Sequence, residues 1–229
     1  MVAVPVRVVS LVPSATETLL AWGVTPLAVT RFCEHPELPH VGGTKDPDLE
    51  AIVALEPDLV VLCEEENRRE DADTLAAAGL RLHVVRIDAV ADVAPQMADL
   101  AMAVGVPPPA WSPTEPGPST PRRRAFVPIW RRPWMTLGGR CYGSSVLDAV
   151  GIENVYAGAP DRYPQVELDD VASRLPDVVL APTEPYPFSE RHRAELEAVA
   201  PVRFVDGQDL FWWGVRTPGA IERLAEALA

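Results

Sequence analysis

Four tryptophans lie in two short segments of the second half of the chain, a grouping suited to holding a large flat ligand. Trp130 and Trp134 flank Arg131-Arg132-Pro133, and Trp212 and Trp213 lie between Asp209 and Arg216. Aromatic rings offer stiff, apolar contact surfaces to such ligands. The alternative is that these rings pack on one another under a long loop, because large aromatic side chains are usually at least partly buried.

A second group of chemically active side chains, Cys33, Glu34 and His35, lies in one loop of the first half. A thiol, a carboxylate and an imidazole could bind a metal or form a thiolate–imidazole pair. Residues so close in one loop rarely have the geometry for either role, and the ligand set for a metal is incomplete. We therefore expect Cys33 and His35 to line the rim of a ligand site. No catalytic residue and no metal ligand is predicted.

The first strand and helix show where a ligand would lie. The β-branched run from Arg7 to Val12 predicts a strand buried in a parallel sheet, and Pro13 ends it. Ser14 and Glu17 have the spacing of a capping box at the start of a helix that ends at Gly23. In open α/β sheets, ligands bind at the carboxyl ends of the strands, where such a helix begins.

Strands and helices alternate along both halves of the chain, which predicts parallel sheets with crossover helices. In the first half we expect a helix starting at Asp46-Pro47 and another starting near Asp92, because Pro95 is tolerated only in a first turn. In the second half we expect a strand over 125–130 followed by a loop over 131–143.

The two halves repeat one another. The segment from Leu49 to Val61 and the segment from Leu168 to Leu180 both end a helix with Pro-Asp and then enter a Val/Leu strand. This order predicts two α/β lobes of common origin, 1–105 and 122–229. Residues 106–121 hold seven prolines and predict a semi-rigid linker between them.

Charge and composition exclude several partners. The chain has 20 basic and 33 acidic residues among 229, a net charge of -13, and Lys45 is its one lysine. Such a surface repels phosphate backbones and anionic lipids, so nucleic-acid partners and stable membrane insertion are not expected. Three separate cysteines and an N-terminal sequence without a signal-peptide pattern predict a cytoplasmic protein with reduced thiols.

The first half resembles a known family. The sequences VVSLVPSATETLLAWGV (8–24) and VGGTKDPDLEAIVALEPDLVVL (41–62) are similar to the class III solute-binding proteins of bacterial ABC importers, in the helical backbone metal receptor superfamily. That family takes up vitamin B12, haem and ferric siderophores. The similarity is strongest to the cobalamin-binding branch, includes the Cys-Glu-His-Pro loop, and extends over 8–88 and 125–228.

The resemblance implies two Rossmann-like lobes with parallel sheets and a ligand held in the cleft between them. By position, its first-lobe contacts are Pro13, Ser14, Phe32 and the loop 63–66, which contains Glu65. Its second-lobe contacts are Trp130, Trp134, Tyr186 and the loop 211–216. The full set of candidate ligand-binding residues is Pro13, Ser14, Phe32, Cys33, His35, Glu65, Trp130, Trp134, Tyr142, Glu184, Tyr186, Phe211, Trp212, Trp213 and Arg216.

Two departures from the family affect the predicted role. The chain shows no export signal, and a short helix with a Pro-rich linker stands where the family has a long connecting helix. We therefore expect non-catalytic binding of a cobalamin-like corrinoid or another metal tetrapyrrole as ligand, with no tightly required cofactor and with doubtful docking to an ABC permease. The alternatives are a cytosolic enzyme of corrinoid salvage, with Cys33 or Glu184 as reactive group, and the binding component of an importer for haem or a ferric siderophore.

Overall fold

A computed structural model of the chain describes residues 6–108, 110 and 123–228. The predicted linker, 106–121, lies for the most part outside these residues. The described residues form two compact units. The first unit contains residues 6–86, 92–108 and Trp213–Val215, and the second contains 87–91, 123–212 and 216–228.

The first unit is a parallel four-stranded sheet with helices between its strands. Its sheet has the order β2-β1-β3-β4, and every neighbouring pair is parallel. Its elements are β1 (Val8–Ser10), α1 (Pro13–Ala21), β2 (Ala28–Val29), α2 (Leu49–Ala54), β3 (Leu59–Cys63), α3 (Arg69–Ala77), β4 (Leu82–Val85) and α4 (Val90–Val104).

Apolar runs in the two central strands build the core of this unit. Val9 of β1 and Val60 of β3 are register partners and both are fully buried. Ile52 of α2 and Leu75 of α3 pack with them in the same apolar cluster. A strand buried on both faces needs a continuous apolar sequence, which explains why these strands were predictable without alternation.

The capping box predicted at Ser14 is wrong. Helix α1 begins one residue earlier, with Pro13 in its first turn, and its N-cap is Val12, which makes no side-chain cap. Proline is well suited to a first helical position because its missing N–H would have no intrahelical partner there. Ser14 is thereby placed inside the helix, and its hydroxyl does not cap it.

Two other helix starts also differ from the prediction. Helix α2 begins at Leu49 rather than at Asp46, because the carboxylate of Asp48 accepts the N–H of Ala51 and caps it. Helix α4 begins at Val90, so that Pro95 lies within the helix rather than in its first turn. No described helix is both long enough and apolar enough to cross a membrane.

The second unit repeats the parallel sheet and adds an antiparallel one. The sheets have the orders β11-β10-β5-β8, all parallel, and β6-β7-β9, antiparallel. The elements are β5 (Arg123–Phe126), β6 (Pro128–Trp130), β7 (Trp134–Thr136), α5 (Tyr142–Ala149), β8 (Ile152–Asn154), β9 (Gln165–Val166), α6 (Leu168–Ser173), β10 (Val178–Pro182), a 3-10 turn (Glu190–His192), α7 (Arg193–Glu197), β11 (Val202–Val205), α8 (Gly207–Phe211) and α9 (Thr217–Leu228).

The sequence reading of 125–143 as one strand and one loop is wrong. The chain forms β5, breaks at Val127, and then forms the β6–β7 hairpin, in which Trp130 pairs with Met135. The predicted loop 209–216 is also partly helical, because α8 extends to Phe211.

The predicted internal repeat is visible in hydrogen bonds. The N–H of Arg7 donates to Asp58 over 2.8 Å, and the N–H of Arg124 donates to Asp177 over 2.7 Å. In each unit the guanidinium of the same arginine also donates to a backbone carbonyl. The acceptor is the C-cap residue of the helix that precedes the aspartate, at 2.7 Å in the first unit and 2.6 Å in the second. We call this arrangement the strand-start clamp. In each unit it connects a central strand of the parallel sheet to the Pro-Asp turn of that unit.

Candidate ligand-binding site

Three loops of the first unit meet at the carboxyl edge of its sheet. The loop after β1 is residues 11–12 and leads into Pro13 and Ser14 at the start of α1; the loops after β2 and β3 contain the segments 30–36 and 64–67. Because the three strands are parallel neighbours, these loops lie side by side. The sheet topology therefore brings together the candidate residues that the sequence placed in three separate segments.

A buried network of hydroxyls and a thiol fixes the loop after β2. The thiol of Cys33 donates to the Thr16 hydroxyl of α1 over 3.3 Å and lies 3.5 Å from the hydroxyl of Thr30. Thr16 in turn contacts the Ser10 hydroxyl, over 2.9 Å, and the Val12 carbonyl, over 3.0 Å. Cys33 is 6% exposed, so it acts as an anchor beneath the loop and not as a group on its surface.

Ser14 has a buried hydroxyl that lacks a hydrogen-bond partner among the described residues. A buried hydroxyl without a partner costs free energy, about 1–3 kcal/mol. The hydroxyl lies in the first turn of α1, at the carboxyl edge of the sheet.

Phe32 and His35 form the exposed part of the same loop. The Phe32 ring is 53% exposed, and the guanidinium of Arg31 lies 5.0 Å from its centroid. His35 Nδ1 lies 2.9 Å from a carboxylate oxygen of Glu37. Nε2 is the ring nitrogen that is not engaged in this contact.

The loop after β3 is held from below by Asn67. Its side-chain carbonyl accepts the N–H of Cys63 over 2.8 Å, and its amide donates to the carbonyls of Leu11 and Thr44 over 3.2 and 3.1 Å. Lys45, the single lysine, donates to the backbone carbonyl of Glu65 over 2.8 Å. Asn67 and Lys45 therefore set the position of this loop. Their residue types alone did not predict this supporting role.

The three cysteines, Cys33, Cys63 and Cys141, are separate buried thiols. Burial, with the carboxylate of Glu66 nearby, raises the pKa of Cys63 to about 12. At pH 8 the thiolate fraction of Cys63 is then roughly a thousandfold smaller in the folded protein than in the unfolded chain. We expect a thiol reagent to label Cys63 slowly in the native protein and rapidly in denaturant, measured by mass spectrometry of digests.

The same shift gives a pH dependence with a defined sign. The pKa of Cys63 is higher in the folded state than its ordinary value of 9.0. At pH values below 9.0 the thiol is protonated in both states and does not change the free energy of unfolding. Above that value the unfolded chain loses a proton that the folded protein retains, so the free energy of unfolding falls as the pH rises. In the Cys63→Ser variant, this part of the decrease in the free energy of unfolding at alkaline pH should be absent. Equally rapid labelling of Cys63 in the folded and the unfolded protein would contradict its raised pKa.

In the second unit, an aromatic cluster lies at the carboxyl edge of the parallel sheet. It consists of Trp130, Trp134, Tyr186, Phe188 and His192. Trp130 meets Tyr186 edge-on at 5.6 Å between ring centroids, and Trp134 stacks on Phe188 at 6.0 Å with an interplanar angle of 6°. Tyr186 and Phe188 are 4.7 Å apart and both pack on His192 at 5.4 Å. The rings do pack on one another, and Trp130 remains 45% exposed.

His192 supports this cluster from within the unit. It is 4% exposed, accepts the N–H of Ser189 at Nδ1 over 3.1 Å, and lies 3.4 Å from the Tyr186 hydroxyl at Nε2. Burial lowers the pKa of His192, and the nearby Arg191 and Arg131 lower it further. The imidazole is therefore neutral at pH 7 and serves as packing for Tyr186 and Phe188.

The aromatic residues of 211–216 have different environments. Phe211 and Trp212 are half-buried, and the guanidinium of Arg216 lies 5.6 Å from the Trp212 ring centroid. Trp213 is 4% exposed and belongs to the first unit. Tyr142 is equally buried, and its hydroxyl makes hydrogen bonds to Thr217 over 2.8 Å and to the Trp212 carbonyl over 3.5 Å. Tyr142 thus holds the backbone of Trp212 in place.

Glu184 and the Gly138-Gly139 pair are both explained by close backbone packing. Glu184 lies directly against Gly207 at the start of α8, where a Cβ would clash with it. A Cβ on Gly138 or Gly139 would clash with the backbone carbonyls of Asp161 or Ala157. These glycines therefore allow close contact between chain segments. Within the described residues, no group of three or more His, Cys, Asp or Glu side chains is arranged to bind a metal ion.

Residues 8–108 match the family model described as periplasmic binding protein. The vitamin B12-binding protein of Salmonella choleraesuis is 28% identical over 200 residues, which cover 76% of this chain and 71% of that protein. Two solved structures share the fold. The periplasmic vitamin B12 binding protein BtuF of Vibrio cholerae has a TM-score of 0.79 at 21% identity, covering 98% and 96% of the two chains. A periplasmic heme binding protein from Pseudomonas aeruginosa has a TM-score of 0.79 at 19% identity, covering 98% and 92%.

These matches correct one prediction and confirm others. The cytoplasmic location predicted from the sequence is wrong, because the family and its solved members are periplasmic. The α/β fold with parallel sheets and a small-molecule ligand as partner are confirmed. The family consists of substrate-binding proteins and not of enzymes. The chain is thus similar to periplasmic binding proteins in sequence and shares the fold of their solved structures, as its sequence motifs predicted.

Proposed function

We propose that the protein binds a cobalamin-like corrinoid, or another metal tetrapyrrole, without transforming it. The observation that carries the proposal is the aromatic carboxyl edge of the second unit, where Trp130 and Trp212 present partly exposed rings. Relatives that bind vitamin B12 and heme support the ligand class. A corrin or porphyrin is large and flat-edged, so ring contacts and excluded water supply its affinity.

The carboxyl edge of the first unit is suited to the metal centre of such a ligand. His35 Nδ1 lies 2.9 Å from Glu37, and Nε2 is the ring nitrogen that is not engaged in this contact. Imidazole is a ligand of cobalt and of haem iron, and a carboxylate on the other ring nitrogen is its usual support. Phe32, half-exposed in the same loop, offers an apolar contact beside it.

An enzyme of corrinoid salvage is the less favoured candidate. Cys33, one suggested reactive group, is buried and engaged with Thr16 and Thr30. Glu184, the other, lies packed against Gly207. A reactive group must reach its substrate, and Cys33 is buried while Glu184 is partly buried. Delivery of the ligand to an importer permease stays a prediction of the family resemblance.

The test is a titration with cyanocobalamin, dicyanocobinamide, haemin and a ferric siderophore, followed by tryptophan fluorescence. We expect at least one of the tetrapyrroles to quench the emission, because the emitting rings line the site and these ligands absorb visible light. Recovered ligand should have an unchanged mass after prolonged incubation. No quenching by any tetrapyrrole at high micromolar concentration would refute the proposal, and an altered mass would favour the enzyme.

A second measurement concerns His35. With aquacobinamide or haemin bound, coordination by an imidazole should shift the visible absorption bands away from those of the free ligand. The shift should disappear in His35→Ala and persist in His40→Ala, the matched histidine five residues further along the chain. Identical spectra in the unaltered protein and in His35→Ala would exclude His35 as a metal ligand while leaving ligand binding intact.

A further inference from the structure

An ion pair joins the turn of the β6–β7 hairpin to helix α7. Arg131, in the turn, donates from Nε to the carboxylate of Glu195 on α7 over 2.9 Å. The two residues are 64 positions apart in the chain, and their side chains are 20% and 39% exposed. The pair therefore connects two segments that become neighbours only in the folded unit, and water screens it only in part.

Helix α7 is a firm support for this pair. Leu196, the residue after Glu195, is fully buried in the apolar core of the second unit. Arg193 of the same helix donates to the carbonyl of Val202 in β11 over 3.1 Å. Because both contacts hold α7 against the parallel sheet, the backbone that carries Glu195 is anchored independently of the hairpin.

Backbone pairing alone holds the hairpin weakly. Strands β6 and β7 have three residues each, and their register is irregular between Pro128 and Trp130. The third strand of the same sheet, β9, has two residues. Sheets of so few short strands are marginally stable without further packing, so side-chain contacts from outside determine where the hairpin lies.

Arg131 also contacts the aromatic cluster. Its guanidinium lies 5.9 Å from the centroid of the Trp134 ring. The hydrogen bond to Glu195, and with it one to the hydroxyl of Tyr186, raises the pKa of Arg131, so its charge persists. Since Tyr186 meets Trp130 edge-on at 5.6 Å between centroids, Arg131 is connected to both tryptophans of the hairpin.

We propose that Arg131 and Glu195 are positioning residues, which hold the hairpin so that Trp130 and Trp134 form a preorganised aromatic surface. The inference rests on the proposed function, because it takes these rings as contacts of the tetrapyrrole. A surface that is already ordered loses less conformational freedom when a ligand binds, so the pair raises the affinity without touching the ligand. A partly exposed ion pair adds little to folding stability, so its effect is on binding.

Glu195→Gln tests this role, because it removes the charge of the carboxylate and keeps nearly the same shape. Glu197→Gln is the matched control, since Glu197 lies on the same helix, is 47% exposed and loses an ion pair with Arg193 of α7 itself. In the ligand-free protein, the near-ultraviolet circular dichroism of the packed rings should decrease in Glu195→Gln and stay unchanged in Glu197→Gln. The urea midpoints of the two variants should agree.

The binding measurement uses dicyanocobinamide and haemin. We expect Glu195→Gln to bind the tetrapyrrole that the unaltered protein binds about three- to tenfold more weakly, and Glu197→Gln to bind it as well as the unaltered protein does. Arg131→Gln should show a similar loss. The double variant Arg131→Gln/Glu195→Gln should bind no more weakly than Arg131→Gln alone, because the two side chains act through one contact.

Three results would overturn the positioning role. They are additive losses in the double variant, equal losses in Glu195→Gln and Glu197→Gln, and a circular dichroism spectrum that Glu195→Gln leaves unchanged. Failure of the unaltered protein to bind any tetrapyrrole would instead refute the proposed function, and with it the effect of the pair on affinity. The circular dichroism comparison requires no ligand, so it would still decide whether the pair positions the rings.

Discussion

The Trp212→Ala variant is expected to bind its tetrapyrrole about thirtyfold more weakly than the unaltered protein. Its half-buried ring contacts Arg216 on one side and is fixed through its carbonyl by Tyr142, so it is a stiff anchor. Loss of one such aromatic anchor at a binding surface costs about 2 kcal/mol or more, which corresponds to the stated loss of affinity. A titration followed by the absorbance of the ligand measures this affinity. The signal does not depend on the fluorescence of Trp212, which the variant lacks.

The matched control is Trp22→Ala. Trp22 is also half-buried, but it is the C-cap residue of α1 and therefore lies at the amino edge of its sheet. We expect the affinity of this variant to stay within about twofold of the unaltered protein, since no ligand contact is lost. Equal losses in the two variants would mean that the effect of Trp212 reflects general destabilisation and not ligand contact.

The second large effect concerns stability. Phe126 is fully buried in β5 and is one of the largest side chains in the core of the second unit. Phe126→Ala should lower the free energy of unfolding of that unit by about 3–5 kcal/mol, because a cavity remains where the ring was. Urea denaturation followed by far-ultraviolet circular dichroism measures this loss.

Phe32→Ala is the matched substitution at an exposed phenylalanine. Its ring is 53% exposed and loses only a contact with Arg31, so the cost should be below about 1 kcal/mol. Phe32→Ala should also weaken tetrapyrrole binding. This result would distinguish a residue that contacts the ligand from a residue that stabilises the fold. A Phe126→Ala protein as stable as Phe32→Ala would contradict the core described for the second unit.

The elements that the sequence predicted well are those whose local pattern and tertiary role agree. The runs at Val60 and Val179 are β-branched, follow a Pro-Asp turn and are fully buried, so their pattern identified two central strands. The repeated order also predicted the second parallel sheet. In these segments one physical requirement, burial of both faces of a strand, determines the sequence.

The elements that were mispredicted are those in which two local signals compete. At the start of α1, Pro13 and Ser14 are both favourable near a helix N-terminus, and the geometry uses Pro13. Between β5 and α5, arginines, proline and glycine predict a loop, and the antiparallel pairing of Trp130 with Met135 overrides them. Register between short strands depends on distant partners, which a local pattern does not contain.

Of the candidate site, the sequence could predict the aromatic and loop positions but not the residues that hold them. Asn67 and Glu195 are ordinary polar residues in the sequence, and their supporting contacts are with partners distant in the chain. The internal packing of Trp134 on Phe188 likewise arises from two segments that are far apart. Support of this kind becomes visible only when the fold is known.

The β6–β7 hairpin is an addition that the first unit lacks at the corresponding step. In the first unit the chain passes from β1 to α1 through residues 11–12, whereas in the second the corresponding step from β5 to α5 takes residues 127–141. The additional segment carries Trp130 and Trp134, and the strand-start clamp at Arg124 lies outside it. An insertion at this point in an ancestral duplicated unit would therefore add new aromatic surface. The strands of the parallel sheet beneath it would still have to be apolar on both faces.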